Sequence, residues 1–157
     1  MVRSMKTVAI VLGSALLAAC ATGSTTTQMS TEQVIAARQK HMKDQGAAMR
    51  SISDKMKAGQ VQAVAEDAEK LVRTAKELPA LFPAGSVNAQ TSRAKAEIWQ
   101  KKAEFDGYAK TLETKATQLA ATARSGNQPA TATAIQDMGR TTCTACHDAF
   151  RGPEIKK

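Results

Sequence analysis

Residues 35–56 read IAARQKHMKDQGAAMRSISDKM, and their apolar side chains recur at helical spacing rather than with the alternation of a strand. Ile35, Met42, Met49 and Met56 return every seven residues, with Arg38, Gln45 and Ile52 at the intervening seam positions. Two polar groups, Arg38 and Gln45, are therefore expected to point inward. The spacing predicts a first helix over 31–57, closed by Ala58-Gly59. A second is predicted over 60–78, with Val64, Ala68, Leu71 and Ala75 on one stripe and Pro79 as its stop. The third, over 93–124, repeats Ile98, Phe105, Leu112 and Leu119 at seven-residue spacing. Ser125-Gly126-Asn127-Gln128-Pro129 then breaks the chain before a fourth helix with Ile135, Met138 and Thr142. Two short connections around a longer one, rich in Pro and Gly, predict an all-α fold, an antiparallel up-down-up-down four-helix bundle.

Composition agrees with that reading. A chain of 157 residues suits one domain, and 3% aromatic residues with only eight Val and six Ile argue against a sandwich or barrel. Thirty of the hydrophobic residues are alanine, so the bundle has few large side chains for a core. A large apolar prosthetic group inside the bundle would enlarge that core. The net charge of +8 is spread among acidic residues with no run of four basic ones, so no nucleic-acid partner is expected.

The N-terminus reads as an export signal. Arg3 and Lys6 precede an uncharged run, Thr7 to Ala19, that ends at Cys20. The run is shorter than the ~20 apolar residues a membrane-spanning helix needs. Leu17-Ala18-Ala19-Cys20 resembles the bacterial lipobox, in which a peptidase cuts before a lipidated cysteine; ordinary cleavage after Ala21 is the competing reading. Residues 1–19 are read as a lipoprotein-type signal peptide and 20–31 as a flexible tether, with Cys20 as the lipidation site. Ala21 after the cysteine points to the outer membrane of a Gram-negative bacterium, which places the domain, residues 32–157, in the periplasm.

The chemistry gathers in Cys143-Thr144-Ala145-Cys146-His147. On a regular helix, residues 143, 146, 147 and 150 share one face, so two thiols and an imidazole are expected to converge beside Phe150. That spacing suits covalent haem attachment: each thiol adds to one vinyl group, and the adjacent imidazole reaches the iron. A zinc site lacks its fourth ligand, since His41 is the only other histidine and no further cysteine pair exists. A redox dithiol belongs at the start of a helix in a sheet-containing fold, and a disulfide three residues apart would be strained in a helix.

The chain resembles the class II c-type cytochromes, the cytochrome c′ family with its low-spin, methionine-ligated relatives. The matching pieces are Arg38-Gln39 and Met42-Lys43, Leu81-Phe82-Pro83-Ala84-Gly85, Glu97-Ile98-Trp99, Glu104-Phe105, and Gly139 with Cys143 through Arg151. The resemblance implies one covalently attached haem c inside the bundle and a possible homodimer. It also implies thioether bonds at Cys143 and Cys146, His147 as the proximal iron ligand, Arg38 paired with a haem propionate and Met42 on the distal face. The seam analysis puts Arg38 and Met42 inside as well. A buried guanidinium is expensive without an anion, although Arg38 can also snorkel to the bundle end. Met42 stands as either an iron ligand or a wall of the pocket. His41, about 100° round the helix from Met42, is expected to face a neighbour or solvent.

Two functions follow from that one position. With Met42 bound the protein is an electron carrier with an unidentified redox partner protein, which is the reading adopted here. With Met42 unbound, an apolar distal site favours nitric oxide or carbon monoxide. No enzyme is expected, because no histidine or carboxylate lies on the Met42 seam to serve as an acid-base pair.

Overall fold

The computed structural model describes residues 29–155. The signal peptide at 1–19, Cys20 and most of the 20–31 tether lie outside the described residues. The helices are α1 Thr31–Lys57, α2 Val64–Glu77, α3 Glu97–Gln100, α4 Lys102–Arg124, α5 Gln128–Met138 and α6 Ala145–Phe150. A 3₁₀ turn, Leu78–Leu81, extends α2, and a π-helical turn, Gly139–Thr144, joins α5 to α6. Among the described residues there is no strand, and no helix is long and apolar enough to cross a membrane.

Local chemistry accounts for the helix ends. Ser30 caps α1 reciprocally: its Oγ accepts from Gln33 N (3.2 Å), while the Gln33 side chain accepts from Ser30 N (2.8 Å). At the other end the chain turns at Gly59, whose φ of +70° other residues rarely adopt. Asn127 caps α5 by accepting from Ala130 N (3.0 Å), with Pro129 in the first turn. The stretch expected only to break the chain therefore also starts the fourth helix.

The predicted third helix is shorter at its start and divided. Residues 93–95 are extended because tertiary pairing claims their backbone: Lys95 N donates to Phe150 O (3.0 Å) and Gly152 N to Arg93 O (2.7 Å). The chain also breaks at Lys101, between α3 and α4. Hydrogen bonds from Lys101 N to Glu97 O (2.8 Å) and from Phe105 N to Lys101 O (3.0 Å) bridge the break. Ile98 and Phe105 thus both stay buried, and the seven-residue repeat survives the interruption. The second helix also begins later than expected, at Val64, after a turn that still buries Val61.

Packing joins α1 to α2, α2 to α4, and α4 to α5. The core has two parts. One is alanine-rich, with Ile52, Val64, Leu71, Leu119 and Met138 among small side chains from α1, α2, α4 and α5. The other is aromatic and lies at the opposite end, where Phe82 and Phe105 rings stand 4.6 Å apart and Phe150 meets Phe105 edge-on at 5.6 Å.

One buried charge ties α1 to α2. Asp67 accepts from Ser51 Oγ (2.6 Å), Lys55 Nζ (2.7 Å) and Lys70 Nζ (2.8 Å). Burial alone would raise its pKa, but these donors outweigh burial and hold it at about 2. The folded value lies below the unfolded one, so this stabilisation is present above the ordinary aspartate range and is lost as pH falls towards 2. Asp67→Asn should therefore cost roughly 2 to 3 kcal/mol near neutral pH and flatten the acid limb of the stability profile. Chemical denaturation at pH 7 and pH 3 checks this; equal losses at both would show that the carboxylate charge contributes nothing.

Candidate functional site

The bundle is open between its first and last helices. Two cavities lie there, of about 510 and 180 Å³, and Met42, Gly46, Cys146 and His147 line both. The smaller is walled by Leu71, Leu78, Leu112, Tyr108 and Cys143, the larger by Phe82, Ile98, Phe105 and Phe150, with Arg38 at its inner edge. Together they form one apolar slot between α1 and the C-terminal motif.

The motif is held in place from two directions. Phe150 is buried in the aromatic cluster, and the strap at residues 93–95 grips the end of α6. Lys95 Nζ donates to Asp148 O (3.2 Å) and Ala149 O (3.1 Å), and Arg93 Nε donates to Gly152 O (2.9 Å). A Cβ at Gly152 would stand 3.3 Å from Arg93 O, so a side chain there would crowd the strap.

The π turn changes the geometry expected of the motif. Widening the helix at 139–144 rotates Cys143 relative to the residues that follow. Cys143 faces the smaller cavity, while Cys146 and His147 border both. All three side chains line the smaller cavity, whereas Phe150 lies in the wall of the larger one. Among the described residues no group of three or more His, Cys, Asp or Glu side chains gathers as a metal cluster.

Cys143 and Cys146 form no disulfide. Burial, aided by the neighbouring Cys143, pushes the Cys146 thiol up to about 11, the opposite of a reactive redox dithiol. Burial lowers the His147 pKa, Arg151 and Arg93 add to the effect, and Asp148 opposes it. Near neutral pH the imidazole is therefore neutral, the form that ligates a metal.

Across the slot, Arg38 is only 3% exposed. Its guanidinium donates to Ser86 Oγ (3.3 Å), Ser86 O (3.0 Å) and Ser92 Oγ (3.0 Å), and it stacks over Phe82 and Trp99. Trp99 is fixed in turn by donating to Pro83 O (2.7 Å). Arg38 does not snorkel out. One atom, Nε, is buried with no partner among the described residues. Met42, one turn on, is half-buried against the aromatic cluster. His41 faces away, with Nε2 2.6 Å from Thr74 O and Nδ1 3.8 Å from Glu77. Gly46 lies one turn beyond Met42, where a Cβ would meet only the movable Arg50 side chain, at 3.4 Å.

These features fit a large, flat, mostly apolar group bearing an anion: a slot bounded by aliphatic and aromatic side chains, two unpaired thiols, a neutral imidazole and an orphaned guanidinium nitrogen. The sequence reading found the thiols, His147, Arg38 and Met42. It missed Ser86 and Ser92, which reach Arg38 across 48 and 54 residues. It also missed Gly46, whose place inside a helix was a signal, and the basic side chains Arg50, Arg93 and Arg151 at the slot's edge.

Known proteins share this fold. Residues 33–151 match the family model for cytochrome c′. A cytochrome c′ of Pararhodospirillum photometricum is 33% identical over 125 residues, covering 78% of this chain and 98% of that protein. The solved cytochrome c′ of Thermochromatium tepidum superposes with a TM-score of 0.68 at 31% identity, covering 80% of this chain and 98% of that one. Another solved cytochrome c′, whose dimer dissociation is ligand-controlled, gives 0.72 at 27% identity, covering 80% and 99%. The chain belongs to the cytochrome c′ family, whose members are four-helix bundles that carry one covalently bound haem c with its iron.

Proposed function

We propose that this protein is an exported electron carrier in which Cys143 and Cys146 hold the haem, His147 is the proximal ligand and Met42 the distal one. The observation that carries this reading is that Met42 and His147 border both cavities, one from α1 and the other from α6. When bound, the haem supplies a one-electron ferric/ferrous couple.

The surrounding side chains suit that role. Met42 offers an uncharged, polarisable sulfur that favours the ferrous state. Arg38, held rigid by Ser86 and Ser92, keeps its unpartnered Nε for a propionate carboxylate. Leu78, Phe82, Phe105 and Phe150 give the slot apolar walls. No carboxylate lines either cavity, and His41 is engaged with α2, so an acid-base pair for peroxide chemistry is missing from these walls.

The second reading leaves Met42 unbound as a pocket wall and assigns gas binding. Variants of the cytochrome c′ of Alcaligenes xylosoxidans have been solved with nitric oxide and with carbon monoxide bound. Periplasmic location, lipid anchoring at Cys20 and a homodimer belong to the same proposal. The first two rest on the sequence of residues 1–21, and the last on the relative with a ligand-controlled dimer.

Met42→Ala separates the two functions. If Met42 is the distal ligand, the wild type is low-spin with a weak red-edge band when oxidised. The variant then turns high-spin, its potential falls and it binds carbon monoxide readily. A wild type already high-spin, with faster gas entry in the variant, would assign gas binding instead, and unchanged spectra together with unchanged carbon monoxide kinetics in the variant would remove Met42 from the site altogether. Cys143→Ala and Cys146→Ala should each weaken covalent haem retention and the double change should abolish it, as read by acidified-solvent extraction; quantitative extraction from the wild type would refute the thioether assignment. Cys20→Ser should release the protein from the membrane fraction or block its processing, and a wild type found wholly soluble would favour ordinary signal cleavage.

A further inference from the structure

Most cations on this surface have acidic partners. Lys40 pairs with Asp44 (2.6 Å), Lys102 with Asp106 (2.6 Å) and Lys110 with Glu113 (2.8 Å); Lys115–Asp137 and Arg124–Glu69 link different helices. Among the described residues, six Lys or Arg side chains lack a carboxylate within salt-bridge distance: Arg38, Lys43, Arg50, Arg73, Lys95 and Arg151. Four of the six, Arg38, Lys43, Arg50 and Arg151, line the larger cavity. Arg93 lines it too, shared only with the exposed Glu154 at 3.7 Å. No acidic side chain is in that lining.

The haem does not account for this surplus. Its two propionates neutralise at most two charges, and the buried Arg38 is already placed for one of them. Lys43, Arg50 and Arg151 are exposed, so they project charge into solvent around the slot's mouth rather than stabilising the fold. Like charges gathered at one opening steer an approaching partner of opposite charge and raise its encounter rate at low salt.

We propose that this rim, Lys43, Arg50, Arg93 and Arg151, is the docking face for an acidic redox protein, which exchanges its electron at the mouth of the larger cavity. The proposal rests on the electron-carrier reading and names the chemistry of its partner. Position favours the site, since Arg93 and Arg151 belong to the two segments that meet at the end of α6, next to Cys146 and His147.

The test uses the haem-loaded protein in its ferric state and two one-electron reductants of opposite charge. Reduced plant-type ferredoxin, an acidic protein, gives its electron to the ferric iron and becomes oxidised. The methyl viologen radical cation does the same and becomes the dication. With Lys43→Glu, Arg50→Glu and Arg151→Glu combined, the ferredoxin rate at low ionic strength should fall at least tenfold and the viologen rate should rise. Both differences should shrink as salt shortens the screening length. The single reversals should each show part of the effect, which keeps the comparison available if the triple variant misfolds. Arg73→Glu, on α2 and outside this lining, is the control and should change the ferredoxin rate little. A ferredoxin rate insensitive to the triple reversal, or equally sensitive to Arg73→Glu, would overturn the docking face. The ferric spectrum reads the carrier proposal separately: a high-spin wild type with rim-dependent rates would overturn Met42 ligation while supporting the docking face.

Discussion

The burial of the Arg38 guanidinium shapes this end of the bundle. A charge taken out of water destabilises the fold unless its donors are satisfied, and the partners of Arg38 come from outside α1. The donors are met by the long connection between α2 and α3, which folds back to supply Ser86 and Ser92, while Phe82 and Trp99 pack against the planar face. The connection is thereby held over the aromatic cluster, and the strap that follows it, residues 93–95, reaches the end of α6. A single inward arginine thus links the first helix, the middle loop and the C-terminal motif. The one nitrogen left over faces the requirement that a propionate would meet.

A second constraint is the shortage of large side chains. The alanine-rich half of the core lets α2 and α4 approach closely, which stabilises that side of the bundle. The other end, between α1 and the segment formed by the π turn and α6, is not closed by side chains, and the slot lies there. Gly46 belongs to the same design: inside a helix it costs roughly 1 kcal/mol relative to alanine, and it leaves the wall of the slot thin where both cavities meet. A haem of the kind the family carries would complete the core that these side chains leave open.

Charge follows a similar division. Ion pairs such as Lys55–Asp67 and Lys102–Asp106 brace the helices, and cations without such partners concentrate at the slot's mouth. Those cations do little for stability, yet they sit where an anionic cofactor edge or a partner's acidic surface would feel them. The same positive field helps keep His147 neutral.

How much was legible in the sequence depends on the range of the interaction. The four helical segments, the thiols and imidazole of residues 143–147 and the inward position of Arg38 and Met42 were all readable, because helical periodicity and motif spacing are local properties of the chain. Even the division of the third helix at Lys101 left the buried positions Ile98 and Phe105 where the repeat put them. The extended strap at 93–95 was not readable, because its backbone is claimed by residues more than fifty positions away. The π turn was also hidden: it moves Cys143 around the helix without changing any residue spacing. Nor could periodicity reveal Ser86 and Ser92 as the partners of Arg38, or the gathering of Lys43, Arg50, Arg93 and Arg151 around one opening. Sequence by itself determined the helices and the chemistry of the motif, since both are written in short-range spacing. Only the tertiary structure decided the slot, its orphaned guanidinium nitrogen and its charged rim, since each arises where distant segments meet and one group's desolvation must be answered by another.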